Sequence, residues 1–271
     1  MPLKQYKLGF IGGGNMAEAI ARGCIRAGIF KPSEIFVADP ASERRELLTR
    51  KLGLATTDDC GAVAAAAKSI LLAVKPQKIE EALGQIKPAL DSDSLIISIV
   101  AAVSTGFIEK QLGATIRVVR LMPNTPVLVG AGASGICRGH AATDADMRFA
   151  TSIFGACGVV VEVPESLMDA ITSVSGSGPA YVFYLAEAMA AAGASMGLAP
   201  ADAQLLAKQT IIGAGRLLEQ SPDSVEELRR KVTSPGGFTE AAINSMASQK
   251  FAAMIAQALS AAVQRGAELS R

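Results

Sequence analysis

Through the first part of the chain, short apolar runs alternate with longer stretches in which apolar positions recur every third or fourth residue. The runs Lys7–Ile11, Ile35–Ala38, Ser69–Val74, Leu95–Val100 and Arg117–Leu121 read as strands, and Met16–Ala27, Ser42–Leu52, Val63–Ala67, Ile79–Leu90 and Thr105–Leu112 read as helices between them. Alternation of this kind predicts a parallel sheet with helices on both faces. Two further β-branched runs, Ala133–Cys137 and Val159–Val163, bracket a helix over Asp144–Ala156 and extend the sheet. Beyond Pro164 the pattern changes. Pro179–Ala192, Pro200–Gln220, Ser224–Val232 and Glu240–Leu269 all read as helices, with no convincing strand. The expected division is an α/β domain over 1–163 and an all-helical domain over 164–271.

Composition sharpens this picture. Of 271 residues, 50% are hydrophobic but only 4% aromatic, and much of the apolar content is alanine, which favours closely packed helices of small residues. About a hundred residues of such helices make a marginal core alone. The helices of two subunits are therefore expected to interlock into a homodimer, the alternative being that they pack only on the first domain. A net charge of +1, with neither a basic stripe nor an acidic tail, argues against nucleic acid as a partner.

The four cysteines, Cys24, Cys60, Cys137 and Cys157, form no C-x-x-C pair and read as reduced thiols, neither a disulfide framework nor a metal site. Met1–Lys7 is too short and polar for a signal peptide. The long uncharged stretch Ala170–Ala186 is interrupted by Ser, Gly and Pro, so no membrane span and a soluble cytoplasmic protein are expected.

The chemistry enters at the turns. Gly12-Gly13-Gly14-Asn15-Met16-Ala17 lies where the first predicted strand gives way to the first predicted helix, the context a dinucleotide-binding Rossmann turn requires. Gly12 permits the tight turn, Gly14 lets the backbone approach a pyrophosphate, and Ala17 allows close helix–strand packing. Free N–H groups at the helix start would face the phosphates. Ile11, Gly12, Gly13, Gly14, Asn15 and Met16 are therefore candidate cofactor contacts. Asp39, 27 residues beyond Gly12, stands where the ribose-reading residue is expected. An acid there suits the 2′-hydroxyl of NAD, whereas Ser42, Arg44 and Arg45 could cradle the 2′-phosphate of NADP or simply be solvated. Ala73-Val74-Lys75-Pro76 leaves another strand at the sheet's carboxyl edge, where nucleotides lie in doubly wound folds, and Met122-Pro123-Asn124-Thr125-Pro126 ends a further strand with a stiffened backbone.

On the helical side, Ser175-Gly176-Ser177-Gly178-Pro179-Ala180-Tyr181 opens one helix, and Ser234-Pro235-Gly236-Gly237-Phe238-Thr239 opens another. Glycine N–H groups with hydroxyls at helix starts suit a carboxylate. Helix capping explains Ser-Pro, but not two glycines that cost helix stability.

With Phe10–Met16, Ala73–Gln77, Met122–Pro126, Val174–Tyr181 and Val232–Gly237 in this order along nearly the whole chain, the sequence resembles the pyrroline-5-carboxylate reductase family. The resemblance implies a Rossmann-type, doubly wound, mostly parallel sheet followed by an all-helical dimerisation domain. It also implies NADPH, with NADH as the alternative, as reductant in the last step of proline synthesis, and dimers that assemble further into a decamer of five. It implies cofactor contacts at Ile11–Met16 and at Ala73, Val74, Lys75 and Pro76. The substrate carboxylate would be held by Ser234, Gly236 and Gly237, and the ring nitrogen by the Thr239 hydroxyl as the catalytic group; Ser177 and Asn124 complete the expected substrate and cofactor residues. Three positions depart from the usual pattern: Ser98–Val103 lacks the common glycine, Cys60 lies near an expected Asn, and Phe238 precedes Thr239 in place of a small residue.

The rivals fit less well. A β-hydroxyacid dehydrogenase needs a helical Lys with Asn four residues later, but Lys208 is followed at that spacing by Ile212, and the single histidine, His140, lies in a polar loop unsuited to the base of a 2-hydroxy acid dehydrogenase. A noncatalytic NAD(P) sensor would have no use for the carboxylate clamp.

Overall fold

The computed structural model describes residues 5–269. Eight strands, β1 (Tyr6–Ile11), β2 (Ile35–Ala38), β3 (Ala55–Thr57), β4 (Ala67–Leu72), β5 (Leu95–Ser98), β6 (Arg117–Met122), β7 (Gly132–Arg138) and β8 (Gly158–Glu162), form one sheet in the order β3-β2-β1-β4-β5-β6-β7-β8. The first six are parallel; β7 runs antiparallel to β6, and β8 runs parallel to β7. The helices threaded between them are α1 (Asn15–Arg26), α2 (Ser42–Leu52), α3 (Cys60–Ala66), α4 (Ile79–Ile86), α5 (Thr105–Leu112) and α6 (Asp144–Gly155).

Strand side chains alternate between faces, and both faces are covered. On one, Phe10, Val37, Leu71, Ile97 and Val119 pack against Ile20 of α1 and Ile153 and Phe154 of α6. On the other, Ile11, Ala38, Ile70, Ile96 and Val118 meet Val63 of α3, Leu83 of α4 and Ile108 of α5. Local signals fix the helix ends. Asp59, Ser104 and Thr143 cap α3, α5 and α6 through their side chains, and Gly53 in the left-handed region (φ 67°) ends α2. The edge strand β3 has no counterpart in the sequence reading, since three residues are too few to establish a period of two.

Contacts divide the described chain into two compact units, one running to Ser177 and including 262–269, the other Gly178–Ala261. The composition changes at residue 164, but the segment just beyond it stays with the sheet. There Glu165–Leu167 forms a 3-10 turn, followed by α7 (Met168–Ile171) and a π-helical turn over Thr172–Gly176, and a Cβ on Gly135 of β7 would lie 2.6 Å from Ile171. The second unit holds α8 (Gly178–Ser195), α9 (Pro200–Gln220), α10 (Val225–Lys231), α11 (Phe238–Ser248) and the first part of α12 (Phe251–Leu269). The single helix expected over Glu240–Leu269 is thus two. Lys250 sits in the left-handed region (φ 58°) and breaks them without a glycine or proline to announce it.

Candidate active site

The Gly12 turn is built by close main-chain approach. Gly12 donates its N–H to Ala38 O of β2 at 2.8 Å, and Ala73 donates to Ile11 O at 2.8 Å, which ties the ends of β1, β2 and β4 together. At φ 99°, a Cβ on Gly12 would lie 2.6 Å from Ala73 O, so a side chain is excluded twice, by conformation and by space. Gly14 is the N-cap of α1 and has no side-chain cap; nothing lies within 4 Å of where its Cβ would be. An uncapped helix start facing open space is a ready anion site.

A cleft of about 460 Å³ opens at this carboxyl edge of the sheet, between Gly12, Gly14 and Asp39 on one side and Ala73, Val74 and Lys75 on the other. Of the predicted cofactor contacts, Gly12, Gly14, Asp39, Ala73, Val74 and Lys75 therefore share one space, whereas Ile11, Gly13, Asn15, Met16 and Pro76 do not line it. Cys60 also lines it; burial first, then the nearby carboxylates of Asp59, Glu81 and Asp39, push its thiol up, so it stays protonated and uncharged.

Asp39 and the two arginines beside it are knitted into the turn. Asp39 Oδ2 accepts the Gly13 N–H at 2.7 Å and Oδ1 accepts the Ala41 N–H at 2.9 Å. Arg44 donates twice to Gly13 O, at 2.9 and 2.7 Å, and to Glu18 at 3.0 Å; Arg45 donates to the carbonyls of Asp39 and Pro40. Burial raises the Glu18 carboxyl, but the hydrogen bonds and charges of Arg44 and Lys51 outweigh it and hold it below the usual range. Arg44 thus braces the glycine turn from behind, while Arg45, through Nη1, holds the main chain at Asp39 and Pro40.

Asn124, predicted as a cofactor contact, is buried, with its side chain bonded to main chain: Oδ1 accepts from Ala133 N and Nδ2 donates to Ser175 O, both at 2.9 Å. Sequence reasoning missed a second cluster. Glu165 accepts from the Thr105 N–H (2.8 Å) and hydroxyl (2.6 Å) and from Arg120 (3.0 Å), so the start of α5 and the core of β6 are joined to the segment after β8. No sequence spacing connects these three residues. Cys137 nearby is pushed up to about 12, by burial foremost and then by Glu165.

The predicted carboxylate clamp lies in the second unit. Gly237 is the N-cap of α11, Gly236 is left-handed (φ 70°), and Gly237 donates to Ser234 O at 3.0 Å. The Gly236 N–H is bonded to Glu240 Oε2 at 2.7 Å, a contact the sequence reading did not anticipate. Thr239 is exposed on the first turn of α11, and Phe238 beside it is 99% exposed. Ser177 ends the π-helical turn, donating its N–H to Thr172 O at 2.8 Å, and so belongs to the first unit.

A doubly wound sheet with an open helix start, an acid at the end of its second strand and a cleft at its carboxyl edge defines the nucleotide domain of a dinucleotide-dependent oxidoreductase. Residues 7–102 match the family model described as NADP oxidoreductase coenzyme F420-dependent, and residues 165–269 match that of pyrroline-5-carboxylate reductase dimerisation. A pyrroline-5-carboxylate reductase of Methanosarcina acetivorans is 39% identical over 99% of this chain and 100% of its own length. The solved reductase of Coxiella burnetii superposes with a TM-score of 0.92 at 39% identity, covering 98% of this chain and 99% of that one. That of Plasmodium falciparum with NADP bound gives 0.85 at 32% identity over 99% of each chain. This chain belongs to the pyrroline-5-carboxylate reductase family.

Proposed function

We propose that the chain reduces 1-pyrroline-5-carboxylate to L-proline, the last step of proline synthesis, by hydride transfer from NADPH, with NADH as the alternative donor. The observation that carries this reading is end-to-end similarity to reductases of that name, joined to a cleft in which Gly12, Gly14, Asp39 and Ala73–Lys75 face one space. The relative with NADP bound supports a phosphorylated cofactor here. In the reaction a hydride passes from nicotinamide C4 to pyrroline C5 while the ring nitrogen takes a proton from solvent, giving proline and the oxidised cofactor. A protonated imine is already electrophilic, so the protein's part is chiefly orientation. Ser234 and the N–H groups of Gly236 and Gly237, once released from Glu240 and from Ser234 O, hold the substrate carboxylate, Thr239 hydrogen-bonds the ring nitrogen, and Ser177 adds a polar contact. The test is oxidation of NADPH or NADH on addition of pyrroline-5-carboxylate; cofactor binding without such oxidation would favour a sensor instead.

The working form in this reading is a homodimer built through the helical unit, and five such dimers make the decamer that the family resemblance suggests. The match of 165–269 to a dimerisation model supports it, as does the apolar surface of α8 and α9, where Phe183 is 70% exposed and Leu205 and Leu206 are also exposed. No helix of the described residues is long and apolar enough to cross a membrane. We place the enzyme in the cytoplasm, where its four unpaired cysteines, three of them buried, stay reduced. Analytical ultracentrifugation across a dilution series measures the assembly.

A further inference from the structure

Two sequence motifs that lie far apart in the chain meet at one side chain. Asn124 follows β6 after a single proline and is only 8% exposed. Its Oδ1 takes the Ala133 N–H at the start of β7, and its Nδ2 donates to the carbonyl of Ser175. Because one end accepts and the other donates, a single orientation of the amide satisfies both partners.

Ser175 O has a particular need of that donor. In an α-helix its partner would be the N–H four residues on, and that residue is Pro179, which has none. The chain instead takes a π-helical turn over Thr172–Gly176, closed by Ser177 N–H on Thr172 O. Wide turns of this type recur at functional sites. The turn also lies against the end of β6, since a Cβ on Gly176 would be 3.3 Å from Met122 Cε. The Ser175 hydroxyl is occupied with Ile171 O at 3.0 Å. Asn124 thus supplies the hydrogen bond that Pro179 withholds, and with it fixes the segment ending at Ser177.

We propose that Asn124 is a positioning residue for the imine substrate, acting through Ser175 on the turn that carries Ser177, and that it makes no contact with the dinucleotide. This rests on the reading of Ser177 as a substrate contact. Asn124→Asp keeps the acceptor for Ala133 but sets an acceptor against the Ser175 carbonyl; Asn124→Ala removes both bonds. Each is expected to lower kcat/KM for pyrroline-5-carboxylate about tenfold to a hundredfold, the range for losing a buried hydrogen bond and stranding its partner. The Kd for NADPH, read by fluorescence titration of the full-length protein, is expected to stay within about twofold, since the two bonds lost join Asn124 to Ala133 and Ser175 and not to the cofactor. Pro179→Ala added to Asn124→Ala restores a main-chain donor for Ser175 O and is expected to recover part of the lost kcat/KM. A general loss of stability would not be rescued in that way.

A Kd for NADPH that rises as much as the imine KM overturns the proposal, as does a double variant no better than Asn124→Ala. Ser177→Ala separates the two layers. If it raises the imine KM while the Asn124 variants change nothing, only the positioning role falls. If Ser177→Ala is silent while the Asn124 variants still act on the imine alone, the assignment of Ser177 falls and Asn124 keeps its place.

Discussion

The Gly13 N–H donates to Asp39 Oδ2 at 2.7 Å, so the middle glycine of the first turn and the acid at the end of β2 form one piece of structure. Asp39 both shapes the helix start and lines the cleft, where the proposed cofactor would set its ribose. A 2′-phosphate arriving there meets a carboxylate, whereas a 2′-hydroxyl meets an acceptor. Asp39→Ser should therefore move the ratio of kcat/KM values toward NADPH, with the NADH value falling about tenfold for loss of a charged hydrogen bond. Steady-state rates with both cofactors measure it, and a ratio unmoved by the substitution would remove Asp39 from cofactor choice.

Arg44 makes the opposite kind of contribution. It grips Gly13 O with two nitrogens and pairs with the buried Glu18. Arg44→Ala leaves Glu18 with only Lys51, at 3.4 Å, and frees the glycine turn. The expected outcome is a similar rise in Kd for NADH and NADPH, roughly fivefold to tenfold for the bonds lost. A loss confined to NADPH would mean that the guanidinium leaves its brace to hold the 2′-phosphate.

Glu240 occupies the Gly236 N–H that the proposed clamp needs for the substrate carboxylate. An incoming carboxylate has to displace a like-charged side chain from the same donor. Glu240→Gln should lower the KM for pyrroline-5-carboxylate, by about threefold given the modest strength of exposed charged contacts. If the KM rises instead, Glu240 serves to hold the turn open for the substrate.

Most of the sheet and both glycine turns were legible because each depends on local rules: strand–helix alternation, and glycine at a turn where a Cβ would strike Ala73 O. What escaped is non-local or too short. The three residues of β3 carry no period, Lys250 turns left-handed without being glycine, and the Thr105–Arg120–Glu165 cluster unites residues from three elements. The arginines show the limit well. Their charge was plain from the sequence, but that they face main-chain carbonyls depends on the packed turn.

The Glu165 cluster gives a pH dependence with a definite sign. Burial raises the Glu165 carboxyl, yet the Thr105 hydroxyl and N–H and the Arg120 guanidinium outweigh it and hold the group below its usual range. A carboxylate depressed in the folded state contributes stability that is complete above its unfolded pKa and lost as pH falls through the folded one. The loss should begin near 4.5, the ordinary value for a glutamate carboxyl, and deepen below it. Glu165→Gln, which strands the buried Arg120, should cost about 2–3 kcal/mol at neutral pH and flatten this acid limb. Urea melts of both proteins between neutral and acid pH measure the difference; an equal acid dependence in the two would place the titrating group elsewhere.

Thr239 carries the most specific chemical claim. It stands on the first turn of α11, two residues beyond the N-cap Gly237, and in the proposed pose its hydroxyl meets the ring nitrogen. A hydroxyl that only orients a ring nitrogen should be worth one hydrogen bond in the transition state. Thr239→Ala is therefore expected to lower kcat about tenfold to a hundredfold, with Kd for NADPH unchanged, while Thr239→Ser retains most of the rate. Ser234→Ala should differ in kind, raising the imine KM more than it lowers kcat, because it weakens a contact made equally in ground and transition states. If Thr239→Ala turned over as fast as the parent, the ring nitrogen would have to be aligned by another group. Glu240, already seated on the Gly236 N–H, would then be the first side chain to replace.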